Sequence, residues 1–402
     1  MVSSHCNRIR WGCNTNKVAI IGVGHSKFGD RTDVNLSELS FESIKPALEN
    51  TGLTPKQIPY MTVGSMGVWS EEPLPAVVIA EYCGLTGAGL ARCEAACASG
   101  SAAVFNAYSA VASGQMDTAL VVGVEKMKQI DTPTVLEMIG RAGYYMWEFE
   151  NIGMTFPAYY AVYAVQHMAK YGTTEEDLAL VAVKNHKYGA MNPVAHLQYE
   201  LTVEKVLGSS VVAWPLKLYD CCPITDGSAA VVLASEQKVK ELKIEDPIWI
   251  DAVGVASDTA NLSKRDNYVG LTASVAASKM AYKQAGISPK DVDVAMVHDC
   301  FTVAEIMAYE DLGFCEKGKG TQMIRNGETE VGGRIPVNID GGLKAKGHPI
   351  GTTGVSMLAE LTKQLREEIT PTTRQASMKN YVALAHNTGG TGHYCYVTIL
   401  RR

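Results

Sequence analysis

Four short stretches of this 402-residue chain pair reactive residue types with small, flexible neighbours that let a ligand approach. In EAACASGSAAVF, Cys97 stands where a strand gives way to a helix, so the helix dipole and its free N–H groups favour a thiolate there. The Ala, Ser and Gly behind it equally suit a cysteine that only packs, and position alone leaves the two readings level. In GGLKAKGHPIGTTG, His348 lies between Gly347 and Pro349 just ahead of another helix of small residues, as a cap or as the base that a cysteine nucleophile needs. In VDVAMVHDCF, His298 and Cys300 are two positions apart, so on a strand they face one cavity while Asp299 points away. In LAHNTGGTGH, a buried strand carries His386 into a glycine turn whose N–H groups suit an oxyanion hole, or a phosphate.

A metal site is the rival reading of the His298–Cys300 pair. Zinc needs three or four ligands with orienting partners, and no carboxylate or cysteine cluster of suitable spacing accompanies the pair along the chain. The ten cysteines include no CxxC, which argues against a zinc ribbon or a disulfide framework. Cys6 and Cys13 fall in a polar leader, while Cys83, Cys93, Cys221, Cys222, Cys315 and Cys395 sit among apolar or small residues, most of them reading as inert small hydrophobes.

The elements that must position these residues occur twice. LENTGLTPKQIPYMTVGSM (48–66) and YKQAGISPKDVDVAMVHDC (282–300) both run from a helix end through Gly and Pro into a strand, with Gly52 matching Gly286 and Pro55 matching Pro289. KVAIIGVGHSKFG and PIWIDAVGVASDT each open a half, and DTALVVGVE and NYVALAHNT each supply a buried strand. CASGSAAVFNAYSAVASG parallels HPIGTTGVSMLAELTKQL, which puts Cys97 and His348 at equivalent places in two similar α/β halves. A pseudo-twofold between the halves brings these two side chains together. The unmatched stretch, about 126–213, holds helices with Gly172 as a C-cap and Thr174 as an N-cap, and reads as an inserted lid or loop domain or as a plain helical excursion.

Composition narrows the class. With 47% hydrophobic and 19% charged residues the chain can bury a large core, and a net charge of -6 without a Lys/Arg run argues against nucleic acid as a partner. The first residues lack the apolar core of a signal peptide, and no stretch offers the ~20 apolar residues of a membrane span, so a cytoplasmic enzyme is expected.

Taken in order, CASG, HDCF and GGLKAKGHPIGTTG resemble the motifs of the thiolase family, from about residue 17 to the C-terminus. That resemblance implies an α/β, duplicated thiolase fold of five αβαβα layers. Its N-terminal half would span 17–246, including the loop domain, and its C-terminal half 247–402, in a homodimer or dimer of dimers. The motif pattern is similar to that of the sterol-carrier-protein-type members and their archaeal and bacterial relatives, with His386 taking the place of a late catalytic cysteine. By resemblance, Cys97 is the nucleophile, His348 its base and Cys300 the acid/base at the α-carbon. His298, directly or through a water, joins His348 at the enolate oxygen, His386 supports Cys300 or lines the pocket, and the N–H of Cys97 with one from the turn around Thr388 and Gly389 forms the oxyanion hole.

The implied reaction makes or cleaves a 3-oxoacyl-CoA, such as acetoacetyl-CoA from two acetyl-CoA, or breaks a bulkier ester such as benzoylsuccinyl-CoA. No metal or redox cofactor is implied, the coenzyme A thioesters being substrates. Implied partners are an OB-fold, zinc-ribbon accessory subunit and a hydroxymethylglutaryl-CoA synthase. RAGYYMWEFENIGMTFPAYY (141–160) suits a pocket for aromatic substrates and equally a dimer or partner surface. The competing readings are a decarboxylating ketoacyl synthase, which would share the fold and the Cys97 nucleophile without needing Cys300, and a non-catalytic CoA-binding scaffold.

Overall fold

A computed structural model describes residues 16–402 apart from 68, 70 and 71, so Cys6 and Cys13 lie outside the described residues. The first half contains β1 (Val18–His25), α1 (Leu36–Glu49), β2 (Tyr60–Gly64), α2 (Pro75–Tyr82), β3 (Gly89–Cys93), α3 (Ser99–Ala112) and β4 (Thr118–Glu125). An excursion follows, with α4 (Thr132–Gly140), α5 (Phe156–Tyr171), α6 (Glu175–Met191), α7 (Val203–Leu207) and the small hairpin β5 (Val211–Ala213) and β6 (Leu216–Lys217). The chain then returns through β7 (Gly227–Ser235) and α8 (Glu236–Leu242). The second half holds β8 (Ile248–Ser257), α9 (Thr272–Ala285), β9 (Val294–Val297), α10 (Thr302–Asp311), α11 (Gly320–Arg325), α12 (Thr353–Arg366), β10 (Val382–Gly389) and β11 (Tyr394–Arg401).

The strands order as β3-β2-β4-β7-β1-β8-β11-β10-β9. Only two residue pairs, Ala19 with Trp249 and Ile20 with Ile248, join β1 to β8, so this seam divides the strands into two half-sheets. Outward from the seam each half reads alike: β1, β7, β4, β2 on one side, and β8, β11, β10, β9 on the other. Past β9, Val337 bridges to Ala295 where β3 stands in the first half. The duplicated stretches follow suit, since Gly52 and Gly286 both adopt positive φ, at 70° and 66°, and single turns at Pro55–Gln57 and Pro289–Asp291 lead into β2 and β9.

Alternation along the strands builds five layers. In β4, Leu120, Val122 and Val124 face the outer layer of α1 and α2, while Ala119 and Val121 face the interior. In β10, Leu384 packs outward with Ala273 and Ala277 of α9, and Ala383 and Ala385 face inward. Between the half-sheets lie α3 and α12, whose Val104, Ala107, Val355 and Leu358 are buried in one core. Each such fully buried large side chain contributes about 1.5–3 kcal/mol. These central helices nearly touch: a Cβ on Gly100 would stand 2.7 Å from the carbonyl oxygen of Gly351.

In the excursion, Gly172 at φ 73° closes α5 and the Thr174 hydroxyl accepts from the N–H of Asp177 to open α6. The excursion is bolted to the second half by α6. Lys184 pairs with Glu305 in the core, and the amide of Asn185 donates to Asp299 at 2.8 Å. Among the described residues, no helix is long and apolar enough to cross a membrane.

Candidate active site

Cys97 occupies a single turn, Ala96–Ala98, that runs straight into α3. Ala96 takes a φ of 51°, a conformation that costs an L-residue roughly a kcal/mol or more and is held by neighbours. Glu94 accepts from the Ala96 N–H at 2.6 Å, and the Ser99 hydroxyl accepts from Ala95 at 2.9 Å while donating to the Ala96 carbonyl at 2.6 Å. Burial pushes the Cys97 thiol up to about 12, opposed by the N–H of Gly390 and by its own N–H. Those two N–H groups converge on the sulfur, which makes them the donors available to an oxyanion formed there. Thr388 and Gly389 are the last residues of β10 and deliver that turn; the N–H that reaches Cys97 comes one residue later. Arg265 and the Tyr163 hydroxyl hold the turn through the Thr391 carbonyl.

His348 precedes α12. Its Nδ1 lies 2.6 Å from the Thr353 hydroxyl, and its Nε2 is buried without a partner. Burial lowers its pKa to about 3. The loop that carries it is fixed by buried carboxylates: Asp299 accepts from the N–H groups of Leu343 and Lys344, and Glu125 accepts from that of Gly351 at 2.8 Å.

Strand β9 ends at Val297, so the HDCF residues form an extended connection to α10 rather than part of the strand. Their side chains still alternate. Asp299 turns to Asn185 and the His348 loop, whereas His298 and Cys300 turn to the interior. His298 Nδ1 lies 3.1 Å from the amide nitrogen of Asn387, and its ring stands edge-on to that of His348 with centroids 5.1 Å apart. Burial first, then the neighbouring His348 and His386, holds the His298 pKa well below its usual value. Burial first, then the Cys222 and Cys97 sulfurs, pushes Cys300 far up, with the Tyr160 hydroxyl opposing it. That hydroxyl completes no full hydrogen bond, and it acts on the Cys300 sulfur from a ring stacked on Phe301 at 4.6 Å.

A sulfur from Cys97 and one ring nitrogen each from His298 and His348 all lie within 4.8 Å of one another, all buried. The trio takes His298 from the HDCF pair but not Cys300, and adds Cys97 and His348 from two distant segments. The trio has the donor types of a zinc site and equally of a thiol with its base and an adjacent donor.

His386 is not brought into this trio. It falls on the outer-facing register of β10, and its Nε2 bonds the Ser274 hydroxyl of α9 at 2.8 Å. Asn387, the next residue, faces inward instead. Its Nδ2 reaches the Cys97 carbonyl as well as His298, both at 3.1 Å, and its Oδ1 accepts from Ser101 at 2.8 Å. Sequence reasoning passed over Asn387, although the inward Ala383 and Ala385 set a period-2 register that points to it. Tyr160 was noted only as part of an aromatic run. That run divides: Tyr159 and Tyr160 are buried, while Met146, Trp147 and Ile152 are exposed, the last two lining a surface cleft of about 520 Å³. Around Cys97 itself pack Met66, Trp69, Met127, Val135 and Ile350.

Residues 18–237 match the family model described as "Thiolase, N-terminal domain", and residues 254–402 match "Thiolase C-terminal domain-like". An acetyl-CoA acetyltransferase of Methanothermobacter thermautotrophicus is 42% identical over 387 residues, 96% of this chain and 99% of its own. The benzoylsuccinyl-CoA thiolase subunit BbsB of Thauera aromatica is 34% identical over 93% of this chain and 95% of its own. Among solved structures, the Ltp2-ChsH2(DUF35) aldolase matches with a TM-score of 0.84 at 24% identity, covering 97% of this chain and 99% of that one. Human mitochondrial 3-ketoacyl-CoA thiolase matches with a TM-score of 0.73 at 17% identity, covering 97% and 100%. At such identities these two structures speak to the fold alone.

Proposed function

The chain belongs to the thiolase family, and from its site we propose how it makes and cleaves a 3-oxoacyl-CoA. His348 takes the Cys97 thiol proton on its unpartnered Nε2, and the sulfur attacks an acyl-CoA carbonyl. The N–H groups of Cys97 and Gly390 receive the oxyanion. The bond from carbon to the coenzyme's sulfur then breaks. Burial keeps Cys300 protonated at rest, so the departing CoA thiolate takes its proton. The Cys300 thiolate next removes a proton from the α-carbon of a second acyl-CoA, whose enolate oxygen rests on His298 and protonated His348. The enolate carbon attacks the acyl-Cys97, and the Cys97 thiolate leaves and recovers its proton from His348. Thiolysis runs the same steps in reverse, and the scheme asks for no cofactor.

The single observation that carries this reading is the convergence of Cys97, His298 and His348 within 4.8 Å from three distant segments. Mass spectrometry after incubation with acetyl-CoA tests it: an acetyl adduct on Cys97 is expected, and folded, assembled protein that never acylates there points to the scaffold reading. Cys300→Ala is expected still to form that adduct, more slowly because CoA must leave without the Cys300 proton, while losing both condensation and thiolysis. Full thiolysis by this variant would remove Cys300 from the mechanism.

For the substrate we favour a short acyl group, with acetoacetyl-CoA as product. Supporting this are the close packing of Met66, Trp69, Met127, Val135 and Ile350 on Cys97 and the 42% identity to a protein named for acetyl transfer. In a panel of 3-oxoacyl-CoA esters, acetoacetyl-CoA should be cleaved fastest, and preference for benzoylsuccinyl-CoA would overturn the assignment. A homodimer is proposed because β3 ends the sheet half-exposed, an edge that a second copy can cover. An accessory subunit is proposed on the two similar proteins named as a DUF35 complex and as a subunit. The mass of the purified native assembly tests both.

A further inference from the structure

We propose that Asn387 is a positioning residue that fixes the imidazole of His298 with its proton on Nε2, and so makes it the donor to the enolate oxygen. The assignment rests on the reading of His298 as the enolate-binding group and adds what holds it in that role.

The amide of Asn387 has one chemically consistent orientation. Its Nδ2 lies 3.1 Å from the Cys97 carbonyl oxygen, which can only accept, and the opposite end of the amide meets the Ser101 hydroxyl at 2.8 Å. Turning the amide over would set Oδ1 against the Cys97 carbonyl, two acceptors facing each other in a buried place with no proton between them. The NH2 group has two hydrogens. One goes to Cys97, and the other goes to the ring nitrogen 3.1 Å away, His298 Nδ1, which must then be bare. The His298 proton therefore sits on Nε2.

His348 is set the other way. Its Nδ1 meets the Thr353 hydroxyl at 2.6 Å, and that hydroxyl already donates to the Pro349 carbonyl at 3.2 Å, so Nδ1 carries the proton and Nε2 is bare. The two rings, 5.1 Å apart and edge to face, thus hold opposite tautomers: one a donor, the other a base. Identical tautomers would give two donors or two bases, and either way one role would be empty. Space is reserved for the device as well. A Cβ on Gly354 would stand 2.6 Å from Asn387 Oδ1, so glycine there leaves room for the amide.

The experiment compares two half-reactions in the full-length protein carrying Asn387→Asp or Asn387→Ala. One readout is the acetylation rate of Cys97 by acetyl-CoA. The other is exchange of acetyl-CoA methyl protons for deuterium, which reports enolisation. Loss of the donor is expected to slow exchange by about 100-fold or more while acetylation changes by less than about tenfold. Equal losses in both rates would assign Asn387 a merely structural role and overturn the proposal. Independently of any variant, 15N spectra of histidine-labelled wild-type protein should show His298 with a bare Nδ1; a proton on Nδ1 overturns the proposal outright. His298→Asn separates the parent reading: if that variant exchanges protons at the wild-type rate, the enolate role of His298 itself fails. If His298→Asn is inactive in exchange but the Asn387 variants are not, only the present inference falls.

Discussion

Burial dictates the resting state of the site at the scale of single residues. A thiol pushed to about 12 and an imidazole lowered to about 3 cannot exist as an ion pair in the free enzyme at neutral pH. Cys97 rests as a thiol, and in the proposed mechanism its thiolate forms only as a carbonyl arrives. Alkylation of the free protein at Cys97 should accordingly be slow near pH 7 and keep rising with pH; a plateau below pH 8 would reveal a standing thiolate. Tyr160 works in the opposite direction on Cys300, since its hydroxyl favours the thiolate. Tyr160→Phe should raise the Cys300 pKa further and slow deuterium exchange into acetyl-CoA roughly tenfold, with Cys97 acetylation little changed. Equal exchange rates in the variant and the parent would remove the hydroxyl from the proton transfer.

Small residues are what let the elements meet. Cys97 heads α3 and His348 precedes α12, and the two helices approach until Gly100 faces the Gly351 carbonyl. The duplicated motifs already placed both residues at equivalent junctions, so this pairing was legible from the chain. The register of β10 was not legible in the same way: HNTGG singles out His386, whereas the pleat bonds His386 to Ser274 of α9 and turns Asn387 inward. Gly100→Ala should destabilise the protein by about 1–3 kcal/mol through overpacking and separate the two helices, seen as a lower denaturant midpoint together with slower acylation. Unchanged stability would mean that the crossing has slack.

Acid sensitivity belongs to the molecule as a whole. Burial, the first cause in each case, lowers His25, His348 and His386 to about 3, His186 and His393 to about 4, and His298 well below 6.5. Folded pKa values below the unfolded value mean that the unfolded chain binds more protons. The stability they represent is therefore full above pH 6.5 and is lost as pH falls toward the folded values. At pH 5.5 each such group costs about 1.4 kcal/mol, or roughly 8 kcal/mol together. Asp299, raised to about 7, and Asp311, raised to about 6, have the opposite sign and return roughly 3 kcal/mol as they protonate in the fold. Net loss is a sizeable part of a typical 5–15 kcal/mol. Thermal unfolding should show a marked fall in Tm between pH 7.5 and 5.5, and a flat profile would refute the shared burial of these rings.

By itself the sequence determined the family, the duplicated halves, and the placement of Cys97 and His348 at matching junctions, because local motifs and a repeated pattern of glycine, proline and buried strands are written along the chain. Only the tertiary structure decided which neighbours complete the site. The third member of the Cys97, His298 and His348 trio, the N–H of Gly390 and the inward amide of Asn387 come from segments far apart in number, and strand pleat and helix crossing, not spacing, bring them within reach.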